Sequence, residues 1–408
     1  MRDVYSGAIC CIAATAAKDG DIGLFFDRDL QGLFPTQVGT SKARIQGQNT
    51  SEPLVAYTIR SKVVSARMAI DSAPLNQRAW VAQERYLSTG IIHFTQELIF
   101  WECQESLTSE QDPDGRIIAE LSLFYPGDSA IHTLRSRIHD YRDQLNSTRC
   151  VSTNINAAEI FSKIHKDWCS FREVYSSLGL TKQEDIFVAL NGIARAVAEV
   201  TNDTLVAGLW RGRLIEDLCW RRNTIELVHP IDAPPRPSVW RAPTWSWASI
   251  NRVIESHKSW WERSSFVNAV NDMAVIKQIN ADHRPSGALI HACLAIKCRL
   301  IPIFPLESDV RGWAPYKVTV TLDDCTITNA KDLGNEISLV VLRHFAHGEG
   351  GGVQGILVSP SRVKTGSYER LGYFEFTAHV EPPEEEKRIV QSVLDGYNIA
   401  QETTIELI

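Results

Sequence analysis

The sequence has no run of about 18 apolar residues, so no membrane-spanning helix is expected. It contains no GxSxG, HExxH or Walker A spacing. That removes the nucleophile-elbow hydrolases, the helix-borne zinc proteases and the P-loop NTPases. There is no CxxC pair, and the nine cysteines are odd in number and scattered. Cys10 and Cys11 are adjacent and badly placed to bridge each other, and on a strand Cys293 and Cys298 point to opposite faces. The thiols read as reduced, which makes a cytoplasmic location the expectation. No surplus of positive charge exists either: 42 Lys and Arg stand against 49 Asp and Glu, a net charge of −7. This argues against a general phosphate-binding surface and against nucleic acid as a partner. The basic cluster Arg211, Arg213, Arg221 and Arg222 has no aromatic interleaving and reads as a solvated face. The apolar run Ala8–Ala17 lacks a basic segment before it, since Arg2 is offset by Asp3, so a secretory leader is not expected.

What is present is tryptophan, 11 of 408 residues, in a chain that is 44% hydrophobic. Trp buries a large area per residue, so sizeable cores and two or three domains are expected. The densest stretch is Leu75–Cys103. Ser72 as N-cap and Pro74 in the first turn predict a helix through Leu87, closed by Gly90 in a left-handed C-cap. Trp80, Glu84 and Leu87 fall at i, i+4 and i+7, on one face. A carboxylate between large apolar groups needs a cation, such as Arg78 or Arg85, or a cleft. A structural ion pair at the edge of the core is the expected role of Glu84, and a cleft-facing carboxylate is the alternative. Two apolar strands, Ile91–Phe94 and Leu98–Trp101, follow as a hairpin, and a helix feeding a hairpin implies α/β layers.

Along the rest of the chain, Met1–Thr15 reads as a helix end running into a buried strand. Asp112–Gly115 is a turn. Phe161, Ile164, Trp168 and Phe171 form a helical stripe, with His165 beside it as a satisfied core-edge histidine. Thr181 and Glu184 suggest a capping box for a helix whose buried face is Ile186, Leu190 and Ile193. After the Pro-rich stretch Pro234–Pro243, Trp245 and Trp247 fall on one face of a predicted strand and read as a core docking strip. From Gly287 the periodicity is near two, predicting a β-rich domain. The glycines of His344–Gly352 invite a metal or phosphate loop, but a strand follows where a phosphate loop wants a helix, so a hairpin tip is expected. No metal site is expected. The boundaries expected are 1–110, 111–255 and 285–408.

The stretch RAWVAQERYLS…IIHF…LIFWEC resembles a block of the fungal heterokaryon-incompatibility (HET) domain, R-x-W-x-x-Q-E-R-x-L-S followed by an apolar strand and W-E-C. Met1, Tyr5 and Ala8 fit the family's preceding M-x-x-x-Y-x-x-A piece. Thr181–Trp220 is similar to its D-R-L-x-A-L-x-G-I-A…A-G-L-W region, except that Ile186 stands where Arg is usual. Arg241–Ser249 (RAPTWSWAS) is similar to R-A-P-S-W-S-W-A-S, and Tyr368–Phe374 to the tail pattern Y-E-R-x-G-x-F. Two blocks that normally open the domain are not found, so a HET core lacking its opening strands is expected. The resemblance implies an incomplete Rossmann/TIR-like α/β core, then a helical region and a β-rich C-terminal domain. It implies non-self recognition and programmed cell death, acting through a protein partner or self-association. Arg78, Trp80, Gln83, Trp101, Glu102, Trp245 and Trp247 are the motif residues it marks. Because some TIR domains cleave NAD with a glutamate, NAD hydrolysis at Glu84 is the alternative.

Overall fold

The computed structural model describes residues 2–28, 36–42, 54–59, 64–115, 129–148, 157–224, 234–256, 269–284, 286–303, 318–324, 336–347, 350–377 and 384–408. The chain divides into two units, Met1–Ile155 and Asn156–Ile408.

In the first unit, helix α1 (Arg2–Gly7) leads into strand β1 (Cys11–Ala13). A separate hairpin, β2 (Thr36–Lys42) and β3 (Leu54–Ile59), follows. After a π-helical turn at Arg67–Asp71 and a 3-10 turn at Pro74–Gln77 comes α2 (Ala79–Leu87). Strands β4 (Gly90–Phe94), β5 (Ile99–Cys103) and β6 (Leu107–Ser109) complete a sheet of order β1-β4-β5-β6, and α3 (Ala130–Thr148) ends the unit. The sheet is mixed: β1 runs parallel to β4, whereas β4–β5 and β5–β6 are antiparallel. Its buried face packs Phe100, Leu98 and Leu107 against Ala66 and Ile70.

Several local expectations are corrected here. Pro74 starts its own short turn, so α2 begins at Ala79 with Arg78 at the N-cap and no side-chain cap. The buried face of α2 is Ala79, Ala82, Gln83, Arg85 and Tyr86, while Trp80, Glu84 and Leu87 are only half-buried. Gly90 is not a left-handed cap. It opens β4 beneath the Trp101 ring, and a Cβ there would lie 2.4 Å from Cη2. β1 is not fully buried, since Ile12 is 66% exposed.

The second unit opens with α4 (Ala157–Ser176) and α5 (Ile186–Thr201). Ile164, Trp168 and Phe171 are fully buried along the predicted stripe. A 3-10 turn at Gln183–Asp185 precedes α5, so no Thr181 capping box forms, but Ile186, Leu190 and Ile193 are buried as expected. Then come β7 (Leu205–Val206), β8 (Leu209–Trp210), α6 (Leu214–Asp217), β9 (Arg221–Arg222) and β10 (Ile254–Glu255). Trp245 and Trp247 are buried, but not on a strand. Ser246 accepts a hydrogen bond from the Ala248 N–H and caps a 3-10 turn, Trp247–Ser249. Trp247 stacks edge-on to Tyr175 and Phe187 and donates to the Gly208 carbonyl. Gly208, at φ +85°, leaves room for that ring.

The C-terminal domain is a β-barrel. Its strands are β11 (Ala269–Asp272), β12 (Val275–His283), β13 (Leu289–Ile303), β14 (Val318–Leu322), β15 (Ile337–His347), β16 (Gly350–Pro360), β17 (Ser367–Thr377) and β18 (Glu402–Leu407). The ring runs β15-β16-β17-β18-β13 and closes through β13–β15, which removes the edges within it. Inside, Ile337, Leu339 and Val341 alternate along β15 and meet Val353, Leu357, Phe374 and Phe376. Helix α7 (Glu384–Ile399) adds Val390 to that cluster. Gly350, Gly351 and Gly352 belong to β16, so they pair in a ladder and form no phosphate loop; residues 348–349, including Glu349, lie outside the described residues.

Gly355 in β16 has no room for a side chain, because a Cβ would sit 2.0 Å from the Val340 carbonyl oxygen. The obstacle is backbone, which cannot rotate aside. Gly355→Ala is expected to cost about 1–3 kcal/mol, read as a lower urea midpoint. A midpoint equal to the wild type's would mean that the two strands separate freely.

Among the described residues no helix is long and apolar enough to cross a membrane.

Candidate functional site

The centre of the first unit is a buried charge, Glu102. It sits on β5, and strand register places it beside Ile91 and on the same face as His93 and Phe100. That face is buried, and the Glu102 side chain has no solvent exposure. A buried carboxylate needs partners, and three elements supply them. From α2, Arg85 Nε donates to Glu102 Oε2 at 2.6 Å, and Arg85 Nη1 donates to Asp71 Oδ1 at 2.5 Å. Arg85 Nη2 donates to Ser129 Oγ at 2.9 Å, and that hydroxyl donates onward to Asp71 at 3.0 Å. From β4, His93 Nε2 lies 2.9 Å from the same Glu102 oxygen, and its Nδ1 lies 3.0 Å from the Thr15 hydroxyl. The other oxygen, Oε1, faces His132 Nδ1 on α3 at 3.7 Å, beyond hydrogen-bond reach.

The electrostatics follow from this layout. Burial alone would raise the Glu102 carboxyl, but Arg85 and the two histidines outweigh it and hold it well below the usual range. Burial also disfavours the charged Arg85, yet Glu102 and Asp71 together keep it firmly protonated. His93 is different: burial wins over Glu102 and lowers it below a free histidine, so it sits as a neutral ring. Chemically this is a closed cross-link joining α2, β4, β5 and the Arg67–Asp71 turn. With Glu102 fully covered, it offers no surface to a substrate.

The sequence-marked residues are distributed around this centre. Gln83 and Glu102 are buried, while Trp101, one residue before Glu102, points to the opposite face and is 38% exposed. Trp101 is cross-strand from Ile92, and Ile92 is cross-strand from Ile12, so these form an apolar row over β1, β4 and β5. Arg78 donates to the Lys18 carbonyl at 3.2 Å. Glu84 meets neither Arg78 nor Arg85. Burial and this carboxylate together push the Tyr5 phenol up to about 12. Trp245 and Trp247 belong to the core of the other unit. Sequence reasoning offered Arg85 only as a partner for Glu84, whereas it pairs with Glu102 and Asp71, and it missed Asp71, His93 and Ser129. Arg85 and Asp71 are spaced 14 residues apart and belong to different elements, which no periodicity links.

Residues 1–84 match the family model described as heterokaryon incompatibility protein (HET). That stretch is a HET domain. The match takes in α1, β1 and the start of α2 up to Glu84; the HET likeness at Trp101–Cys103, Thr181–Trp220 and Arg241–Ser249 rests on the motifs alone. No curated protein and no solved structure was found to match the chain.

Proposed function

We propose that this HET-domain chain acts in heterokaryon incompatibility, recognising non-self and signalling programmed cell death through protein interaction, with a partner or with itself. The observation that carries this reading is the apolar row Ile12–Ile92–Trp101 on the open face of the first unit's sheet, where Ile12 and Trp101 are exposed. Exposed, contiguous apolar surface favours association. The polar centre on the opposite face is closed, which favours a scaffold over a catalyst. Trp101→Glu places a charge in that row without touching the Glu102 network. Expressed in a fungal host, it is expected to lose toxicity while its far-UV circular dichroism matches the wild type. A folded Trp101→Glu protein that kills as well as the wild type would sink the reading.

A second reading, NAD cleavage in the manner of TIR domains, is favoured by the position of Glu84, half-buried on the same face of α2 as Trp80. It expects nicotinamide release from NAD by the purified protein and loss of that release in Glu84→Gln. Toxicity that survives Glu84→Gln decides for interaction.

A further inference from the structure

The second unit holds a cluster that none of the HET-like motifs explains. His165 and Cys169 lie four residues apart on α4, one turn apart on one face. That face meets Asp217, the last residue of α6. His165 Nε2 is 3.1 Å from Asp217 Oδ1, and Cys169 Sγ is 3.9 Å from the same nitrogen. One donor atom from each of the three side chains lies within 4.8 Å of the other two. His165 and Asp217 are buried, and Cys169 is half-buried.

An ion pair explains part of this arrangement. Arg172 Nη1 donates to Asp217 Oδ1 at 3.0 Å, and the Trp210 N–H fixes Oδ2 at 2.7 Å. The thiol adds only long contacts to that pair, 3.9 Å from both Arg172 Nη2 and His165 Nε2, and sulfur is a weak donor and a weak acceptor. An imidazole, a thiol and a carboxylate converging from two helices are instead the donor types of a zinc site. Bonds of about 2.0–2.1 Å to nitrogen and oxygen and about 2.3 Å to sulfur put tetrahedral donors roughly 3.3–3.6 Å apart. The His165–Asp217 and His165–Cys169 spacings of 3.1 and 3.9 Å bracket that range, and the Cys169–Asp217 spacing, within 4.8 Å, closes to it by side-chain rotation.

We propose that His165, Cys169 and Asp217 form a binding site for a divalent transition cation of the zinc class. A thiolate and a carboxylate supply two negative charges that match the cation, and Glu173, whose charge also favours protonated Arg172, stands against the guanidinium that shares Asp217. Arg172 stays on Asp217 as an outer partner, also held by Ser256 Oγ at 2.9 Å. Glu216 stands near the site: its Oε1 is 3.7 Å from His165 Nδ1, beyond hydrogen-bond reach but close enough for its charge to favour a bound cation. Glu216 is also paired to Arg213 at 3.2 Å, which fixes its place. Three protein donors leave one tetrahedral corner for water.

The test is cobalt(II) titration of the full-length protein, followed by absorption and by zinc competition. The expected result is one equivalent bound with a thiolate-to-cobalt charge-transfer band that zinc abolishes and that Cys169→Ser lacks. No such band in the wild type, or an undiminished band in Cys169→Ser, overturns the site. Should Cys169→Ser fail to fold, Glu216→Gln decides, because that side chain is 28% exposed and outside the core. A weaker cobalt affinity in Glu216→Gln, as expected on removing a negative charge near the cation, supports the site, and an unchanged affinity overturns it.

Discussion

Glu102→Ala is expected to destabilise the first unit by about 3–5 kcal/mol, the scale for leaving a buried charge without its partner. Arg85 is 2% exposed and keeps Asp71, which places the expectation toward the lower end of that range. His93 loses the group that holds its Nε2, so a second buried polar atom is orphaned at once. Thermal or urea unfolding measures the loss, and hydrogen exchange should show it as weakened protection over residues 79–103. A loss under about 1 kcal/mol would mean that the network is incidental to stability.

The same network fixes a pH signature. Glu102 is depressed in the folded chain, so its contribution is complete above its ordinary value of 4.5 and disappears as pH falls below it. His93 is also depressed, from 6.5, so the unfolded chain takes up a proton first as pH falls below about 6.5. Stability of the first unit is therefore expected to decline in two stages on acidification. In Glu102→Ala the lower stage attributed to this carboxylate should vanish. A wild-type unit with flat stability between pH 7 and about 4 would remove His93 from the account.

Arg370→Met is the second large effect. Arg370 lies on β17 with no solvent exposure, and Nε donates to Asp323 Oδ2 at 3.0 Å. Its other nitrogens donate to the carbonyls of Leu218 and Trp220, at 2.7 and 2.5 Å, and the guanidinium lies 3.5 Å over the Trp220 ring. One side chain thus joins the barrel to the end of the helical region. Burial lowers Arg370 and raises Asp323, so here desolvation outweighs the attraction between the partners. Such a pair adds little by itself, but breaking it strands a buried carboxyl and two carbonyls. Arg370→Met is expected to cost about 3–5 kcal/mol in urea unfolding. Adding Asp323→Leu should recover part of that loss, because an apolar pair of similar volume removes the stranded charge. The remainder belongs to the two carbonyls, each left unmet at about 1–3 kcal/mol. If the double variant is as unstable as Arg370→Met alone, the carboxyl is not the source of the cost.

The Tyr368–Phe374 motif becomes intelligible through these contacts. Its arginine is the one that reaches Asp323, and its glycine, Gly372, lets β14 approach so closely that a Cβ would lie 2.5 Å from the Thr321 carbonyl oxygen. Pattern alone marked these positions without saying what they touched.

Elements whose cause is local are legible in the residues alone. The period-two stretches became barrel strands, the Ile164–Trp168–Phe171 stripe became a buried helix face, and the hairpin after α2 formed as read, because alternation and helical spacing are properties of neighbouring residues. Which face of α2 lies inside depends on contacts from distant parts of the chain. Helical spacing selected Trp80, Glu84 and Leu87, but small Ala79 and Ala82 allow the closer approach, and Arg85 is tolerated inside only because Asp71 and Glu102 meet it. Polar contacts likewise turn the Trp-Ser-Trp segment, since the Ser246 cap and the Arg241 bonds to the carbonyls of Ala248 and Ile250 favour a tight 3-10 bend over an extended strand. The physical reason is the same in each case: a buried polar group takes its conformation from partners far along the chain, and the chain's own periodicity carries no record of them.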